Sequence, residues 1–128
     1  MATTHAEAFI ARDPDEVWDI FGNFAGLASW FPNLPEIKVD GLVRVVTMGP
    51  GVDVTETEIA RDNGSRTYSY TVAAPVIPAT KYVTTCSVTA APGGCVAAMD
   101  AVLEPDEMAA MIGPLYTQAV AALAQHFA

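Results

Sequence analysis

The chain has 128 residues, of which 52% are hydrophobic and 16% are charged. This length is enough for a single domain, residues 1–128, with its own hydrophobic core, and the composition excludes an intrinsically disordered chain. Six lysine and arginine residues against fifteen acidic residues give a net charge of −9, which argues against nucleic acid and anionic membranes as partners.

No apolar run approaches the roughly 20 residues that a membrane span needs, and the N-terminus lacks a basic segment followed by an apolar core. We therefore expect a cytoplasmic protein without membrane insertion, as a monomer or a homodimer. Cys86 and Cys95 lack the spacing of metal ligands. We expect both to be small buried side chains, and we predict neither a metal nor a cofactor.

The chain begins with the pattern of a strand followed by a helix. HAEAFIA, residues 5–11, reads as the first strand. Residues 12–24 contain a helix start, in which Asp13 is the N-cap and Pro14 the first helical residue. Glu16 is placed to complete a capping box with Asp13. The expected buried stripe of this helix consists of Val17, Phe21 and Phe24.

A second short helix is expected over residues 26–30, ending before Pro32. From Glu36 to Glu104 the hydrophobic pattern has a period of two. Turn residues interrupt it at 40–41, 49–51, 63–64 and 92–94. This pattern predicts an antiparallel meander of about six strands.

The last element predicted is a long amphipathic helix over residues 105–127, with Asp106 and Glu107 as its acidic first turn. Gly113-Pro114 should either kink this helix or mark its true beginning. One face of the helix carries Ile112, Tyr116, Val120, Leu123 and Phe127.

Several short motifs occur in a fixed order along the chain: Asp13-Pro14-x-x-Val17-Trp18, Trp30-x-Pro32, Val43-Arg44, Glu56, Asp62, Tyr68-x-Tyr70 and Pro78-x-x-x-Tyr82. Together with the order of elements, these motifs resemble the helix-grip fold of the START and birch-pollen-allergen-like superfamily, also called SRPBCC. The resemblance covers almost the whole chain, and the spacing is similar to that of the bacterial polyketide cyclase/dehydrase-like branch. The sequence departs from the branch at Glu58, where an aliphatic residue is usual, and at Met99, where tryptophan is common.

The resemblance implies an α+β helix-grip fold. A curled antiparallel sheet of about seven strands would surround a long C-terminal helix, with two short helices after the first strand. Members of the superfamily hold apolar or aromatic molecules in an elongated internal cavity. They include cyclases, dehydratases and lipid carriers, so the fold alone leaves the function open.

The stretch VTETEIA raises the question of whether Glu56 and Glu58 face the cavity or water. A three-residue loop at 63–65, with a positive φ at Gly64, would place Glu58 opposite Tyr70 on the inner face. A two-residue turn at 63–64 would shift the register by one and turn both glutamates outward. In the preceding hairpin, a turn centred on Pro50 pairs Met48 with Val52, Val46 with Val54 and Arg44 with Glu56.

The inward register predicts a catalytic group of Glu56, Glu58, Tyr70 and Arg44. Glu58, as a second acid without its own arginine, should titrate high and could act as a general acid or base. The competing interpretation makes Arg44–Glu56 a structural pair and places Glu58 at a wet cavity mouth. The residues expected to bind the ligand are Trp30, Phe31, Tyr68, Tyr82, Thr84, Cys86, Met99, Ile112 and Tyr116.

Two functions from different classes are consistent with the sequence. The first is a cofactor-independent acid–base enzyme, such as a cyclase, dehydratase, lyase or isomerase, acting on a hydrophobic or aromatic small molecule. The second is a non-catalytic carrier or sensor of an apolar small molecule. His5 and His126 have no carboxylate or nucleophile at a useful spacing in the sequence, so we assign them no role.

Overall fold

The computed structural model describes residues 1–128 and has the helix-grip fold. Seven antiparallel strands form one sheet in the order β1-β7-β6-β5-β4-β3-β2. The strands are β1 Ala2–Ile10, β2 Glu36–Asp40, β3 Val43–Gly49, β4 Val52–Asp62, β5 Thr67–Ala73, β6 Lys81–Ala91 and β7 Gly94–Glu104. The helices are α1 Pro14–Phe21, α2 Ala109–His126 and the 3-10 segments Phe24–Ser29 and Asp106–Met108.

Strands β2 to β7 follow one another as hairpins, while β1 pairs with β7 along its whole length. The inner face of the sheet carries the alternating buried residues that the period-two pattern predicts, and α2 packs over it with its apolar side. The buried residues of α2 are Ile112, Tyr116, Ala119, Val120 and Leu123. None of the helices combines the length and apolar composition needed to cross a membrane.

Helix α1 begins as predicted, but its capping differs. The carboxylate of Asp13 accepts a hydrogen bond from the backbone N–H of Asp15 at 2.9 Å. Glu16 does not complete a capping box, because its carboxylate instead pairs with Arg12 at 2.9 Å. The helix ends at Phe21, so Phe24 belongs to the following 3-10 segment, although it is buried as expected.

The terminal helix also departs from the prediction at its beginning. Asp106 and Glu107 lie in a separate 3-10 turn, and α2 starts at Ala109. Gly113-Pro114 does not mark the beginning of α2, since the helix runs through both residues. Pro114 costs α2 one backbone hydrogen bond, and packing of the apolar side compensates for this loss.

The register of β4 against β5 is the one that turns both glutamates inward. Glu56 pairs with Val72, and Glu58 pairs with Tyr70. The turn itself was predicted wrongly, because Asp62 pairs with Thr67 and leaves a four-residue loop at 63–66. The extra loop residue is compensated by a bulge between Glu58 and Ala60, which restores the inward register.

Two other turns position site residues. In the β3–β4 hairpin, Arg44 pairs with Glu56 as predicted, but a bulge pairs Val52 with Gly49 in place of Met48. In the β6–β7 hairpin, a two-residue turn at 92–93 sets Cys86 opposite Met99, which confirms the predicted register.

In the β4–β5 loop the positive φ of 53° belongs to Arg66, whereas it was expected at Gly64. The carboxylate of Asp62 accepts hydrogen bonds from the backbone N–H groups of Gly64 at 3.0 Å and Ser65 at 3.3 Å. This side chain therefore holds the loop in a turn that Asp and Asn commonly form with their own backbone.

Candidate functional site

A cavity of about 250 Å³ lies between the sheet, the first 3-10 segment and α2. Of its 21 lining residues 19 are hydrophobic, and the remaining two are Arg44 and Glu56. This composition suits a small ligand whose surface is largely apolar and which makes a few polar contacts. The hydrophobic lining residues are Leu27, Trp30, Phe31, Val46, Met48, Val52, Val54, Tyr68, Tyr70, Val72, Val76, Ile77, Tyr82, Cys86, Met99, Met111, Ile112, Leu115 and Tyr116.

The mouth of the cavity is apolar. Met48, Val76 and Met111 line the cavity and are also exposed to solvent, so they mark where it opens. The surrounding segments, residues 48–52, 73–80 and 109–115, contain no charged side chain, although the chain as a whole carries −9. An apolar ligand therefore meets no charged group at this entrance.

The polar part of the cavity is built around Arg44. Its Nε donates to Oε1 of Glu56 at 2.6 Å, and its Nη1 donates to the backbone carbonyl of Phe24 at 2.8 Å. The guanidinium carbon lies 4.2 Å from the centre of the Phe24 ring and 4.9 Å from that of Tyr70. The Arg44 side chain is only 1% exposed, so it is held in place and almost completely covered.

Burial and charge act on this pair in opposite directions. Burial is the largest single influence on Arg44 and lowers its pKa, but the Glu56 carboxylate together with Tyr68 and Tyr70 outweighs burial and raises the pKa of Arg44. Burial also raises the pKa of Glu56, and the positive charge of Arg44 limits that rise. Arg44 therefore fixes the position of the Glu56 carboxylate, and this carboxylate binds a proton more readily than an ordinary surface glutamate does.

Tyr70 places a phenol beside this pair. Its side chain is buried, and its hydroxyl makes no hydrogen bond to another protein group. Burial, followed by the neighbouring Tyr116 and Glu56, raises the pKa of Tyr70 well above its ordinary value. The phenol therefore stays neutral and can donate a hydrogen bond to a ligand atom.

Three other hydroxyl groups next to the cavity form hydrogen bonds with one another. Tyr116 of α2 bonds Tyr82 at 2.8 Å and Thr84 at 2.6 Å, both on β6. These bonds fasten the helix to the sheet next to the cavity. Tyr82 and Tyr116 line the cavity as predicted, whereas Thr84 lies behind Tyr116 and does not.

Trp30 and Phe31 follow the first 3-10 segment and cover one side of the cavity. Their rings pack edge to face with centroids 5.5 Å apart, and Trp30 packs in the same way on Phe21 at 5.4 Å. The indole N–H of Trp30 is buried without a hydrogen-bond partner. Buried polar groups are nearly always paired, so this group is one of the few orphans in the protein.

Glu58 does not line the cavity, and the prediction that it has no cation of its own is wrong. Nη2 of Arg61 lies 2.6 Å from Oε1 of Glu58 and also donates to the carbonyl of Gly22 at 2.8 Å. The bulge at Ile59 turns Arg61 to the inner side, where its guanidinium lies 4.8 Å from the Tyr68 ring. Sequence reasoning missed Arg61, because a bulge leaves no signal in the alternation of β4.

Two further predictions concern residues with reactive side chains. Cys86 and Cys95 are free and buried, and burial raises the pKa of Cys86 to about 12, so its thiol is inert. His5 does have carboxylate neighbours, contrary to expectation, because the β1–β7 pairing brings Asp100 to 2.5 Å and Glu7 lies at 2.7 Å. This cluster lies on the outer face of the sheet, away from the cavity.

No group of three or more His, Cys, Asp or Glu side chains is arranged to hold a metal ion. The chemistry that the cavity itself offers is that of the Arg44–Glu56 ion pair and the phenol of Tyr70. The hydroxyls of Tyr82 and Tyr116 at its wall are already paired with each other.

The complete chain, residues 1–128, matches the family model described as polyketide cyclase / dehydrase and lipid transport. The protein belongs to this family. No curated protein sequence matches the chain. The structure of the protein XoxI from Bacillus cereus is similar to the structure of this protein, with a TM-score of 0.91. The two sequences are 26% identical, and the match covers 99% of this chain and 96% of XoxI.

Two more distant structures share the fold. Ara h 8.0201 is similar with a TM-score of 0.76 and 19% identity, over 98% of this chain and 96% of that one. The di-domain ARO/CYC BexL from the BE-7585A biosynthetic pathway is similar with a TM-score of 0.82 and 14% identity, over 98% of this chain and 46% of that one. They confirm the helix-grip fold.

Proposed function

We propose that the protein is a cofactor-independent acid–base enzyme of the cyclase or dehydratase type, acting on a hydrophobic or aromatic small molecule in its cavity. The observation that carries this proposal is the Glu56 carboxylate, held by Arg44 in a lining that is otherwise hydrophobic. A carboxylate with a raised pKa in an apolar site has the properties of a general base. Membership of the polyketide cyclase / dehydrase and lipid transport family supports this reaction class, and the same family description also fits the carrier that is considered below.

Each polar group has a distinct role in this proposal. Glu56 removes a proton from a carbon next to a substrate carbonyl, and the Tyr70 hydroxyl donates a hydrogen bond to the enolate oxygen that forms. The enolate carbon attacks a second carbonyl of the same molecule, which closes a ring. The proton held by Glu56 then passes to the new alkoxide, and Arg44 keeps the carboxylate in position throughout.

The entrance of the cavity also supports substrate binding at this place. The apolar mouth at Met48, Val76 and Met111 admits an uncharged molecule. Tyr68, Cys86, Met99 and Ile112 complete the proposed apolar contacts with the ligand.

Proton abstraction can be tested without knowledge of the natural substrate. 1-Tetralone is a neutral bicyclic ketone, and exchange of the protons next to its carbonyl for deuterium is measured by NMR in D2O. We expect the protein to accelerate this exchange, Glu56→Gln to abolish the acceleration, and the matched control Glu58→Gln to retain it.

A carrier or sensor is the second candidate, and the mutual pairing of the Tyr82, Thr84 and Tyr116 hydroxyls favours it. Hydroxyls that are already paired with one another give shape to a cavity and offer no free donor or acceptor to a substrate. Saturable binding of 1-tetralone without faster exchange would identify the protein as a carrier and exclude Glu56 as a base for such ketones.

A further inference from the structure

The charge balance of the cavity restricts the class of ligand, and this inference rests on the proposed function. An arginine in an apolar cavity is commonly a receptor for a carboxylate or phosphate. Here, however, the positive charge of Arg44 is already compensated by Glu56 at 2.6 Å. The cavity lining contains no other cation.

Arg44 is also sterically unavailable. Nη1 donates to the carbonyl of Phe24, and the rings of Phe24 and Tyr70 pack against the guanidinium, with centroids 4.2 Å and 4.9 Å from its carbon. With 1% of its side chain exposed, the arginine cannot reach an anion without the displacement of Glu56. An anionic ligand group would therefore meet the carboxylate of Glu56 before it could meet the guanidinium.

Glu56 is the more accessible partner, with 13% of its side chain exposed. Its hydrogen bond from Arg44 reaches Oε1, which leaves Oε2 free to accept another. The Tyr70 hydroxyl beside it has no protein partner. Next to Arg44, a ligand therefore finds a free acceptor on Glu56 and a free phenol on Tyr70.

We infer that the ligand is an uncharged molecule that directs a hydrogen-bond donor, such as a phenol or enol hydroxyl, at Glu56. Carboxylates and phosphates, including fatty acids, are excluded from this position. The apolar remainder of the ligand extends towards the mouth at Met48, Val76 and Met111. Glu56 is the residue that determines this specificity.

The test uses three compounds with one ring system. 2-Naphthol offers a hydroxyl donor, 2-methoxynaphthalene lacks the donor, and 2-naphthoate is an anion at neutral pH. Dissociation constants are measured by equilibrium dialysis with the wild-type protein. We expect 2-naphthol to bind about tenfold more tightly than 2-methoxynaphthalene, a difference of about 1.4 kcal/mol, and 2-naphthoate to bind most weakly.

Each other result has a separate meaning. Binding of 2-naphthoate as tight as that of 2-naphthol overturns the inference, while binding in the cavity stands. Equal binding of 2-naphthol and 2-methoxynaphthalene overturns the role of the donor. No binding of any of the three compounds overturns both this inference and the proposed function.

Two variants sharpen the assignment to Glu56. Glu56→Gln removes the negative charge, so we expect 2-naphthoate to gain at least about tenfold relative to 2-naphthol. Glu58→Gln, outside the cavity lining, should keep the wild-type order. An unchanged ratio of the dissociation constants of 2-naphthoate and 2-naphthol in a folded Glu56→Gln protein would overturn the inference, and the wild-type comparison decides it if that variant does not fold.

Discussion

The protein contains two arginine–glutamate pairs of similar construction on the inner side of the sheet. Both have an N–O distance of 2.6 Å, and in both the arginine also donates to a backbone carbonyl at 2.8 Å, that of Phe24 for Arg44 and that of Gly22 for Arg61. Both guanidinium groups also lie over aromatic rings. Their local chemistry is nearly the same.

Their surroundings differ. Arg44 is 1% exposed and its partner faces the apolar cavity, whereas Arg61 is 26% exposed and borders a polar surface groove together with Asn63. The side chain of Glu58 is 10% exposed and that of Glu56 is 13% exposed, so both carboxylates are buried to a similar extent. Burial of a carboxylate alone therefore does not mark a functional site. Contact with an apolar cavity is the feature that separates the two carboxylates.

The largest expected effect is that of Arg44→Ala. This change leaves Glu56 as an uncompensated carboxylate under the sheet and should destabilise the fold by about 3–5 kcal/mol, the usual cost of breaking a buried pair. Urea denaturation of the wild type and the variant measures this loss in the free energy of unfolding. A loss within the ±0.5 kcal/mol that is common for surface substitutions would show that the pair is effectively solvated.

Arg61→Ala should cost less, about 1–3 kcal/mol, because water can reach Glu58 and the carbonyl of Gly22 once the arginine is removed. The same denaturation experiment gives the comparison. A cost equal to that of Arg44→Ala would mean that the contacts of Arg61 with the Trp18 and Tyr68 rings matter as much as burial does.

The pH dependence of stability should carry the signature of Glu56. Burial raises its pKa in the folded protein, so its contribution to stability is fully present below the unfolded pKa and is lost as the pH rises through the folded pKa. Glu56→Gln lacks this titration. Relative to that variant, the free energy of unfolding of the wild type should fall by about 1.4 kcal/mol for each unit by which the pKa of Glu56 in the folded protein exceeds its pKa in the unfolded protein.

This dependence is measured by urea denaturation of both proteins at a series of pH values from acidic to neutral. The difference between the two free energies of unfolding at each pH cancels the titratable groups that both proteins share. A wild-type protein that gains stability over the variant as the pH rises would mean that Arg44 outweighs burial at Glu56.

The smallest effect on stability is expected for Tyr70→Phe. Its hydroxyl has no protein partner, so the free energy of unfolding should change by no more than about 0.5 kcal/mol. The exchange of 1-tetralone should nevertheless slow, because the enolate loses its hydrogen-bond donor. Tyr116→Phe is the control with the opposite pattern, since it unpairs Thr84 and Tyr82 and should destabilise the fold.

Much of the site could be predicted from the sequence, because strand alternation and short hairpins are local properties. The pairing of Cys86 with Met99 follows from the two-residue turn at 92–93 and a period of two. The pairing of Arg44 with Glu56 was predicted from a turn centred on Pro50, and it holds because the bulge between Thr47 and Gly49 compensates for a loop that is one residue shorter than predicted. The aromatic face of β5 likewise identified Tyr70 as inward.

The tertiary structure decided which carboxylate faces the cavity. The β4–β5 loop is one residue longer than predicted, and the bulge at Ile59 absorbs that residue and reverses the direction of Arg61. A bulge depends on how the whole sheet twists and curls, so the sequence of β4 does not specify it. The sequence by itself determined the helix-grip order of elements and the Arg44–Glu56 pair, whereas the packing of α1 and the sheet paired Glu58 with Arg61 and left Glu56 to face the ligand space.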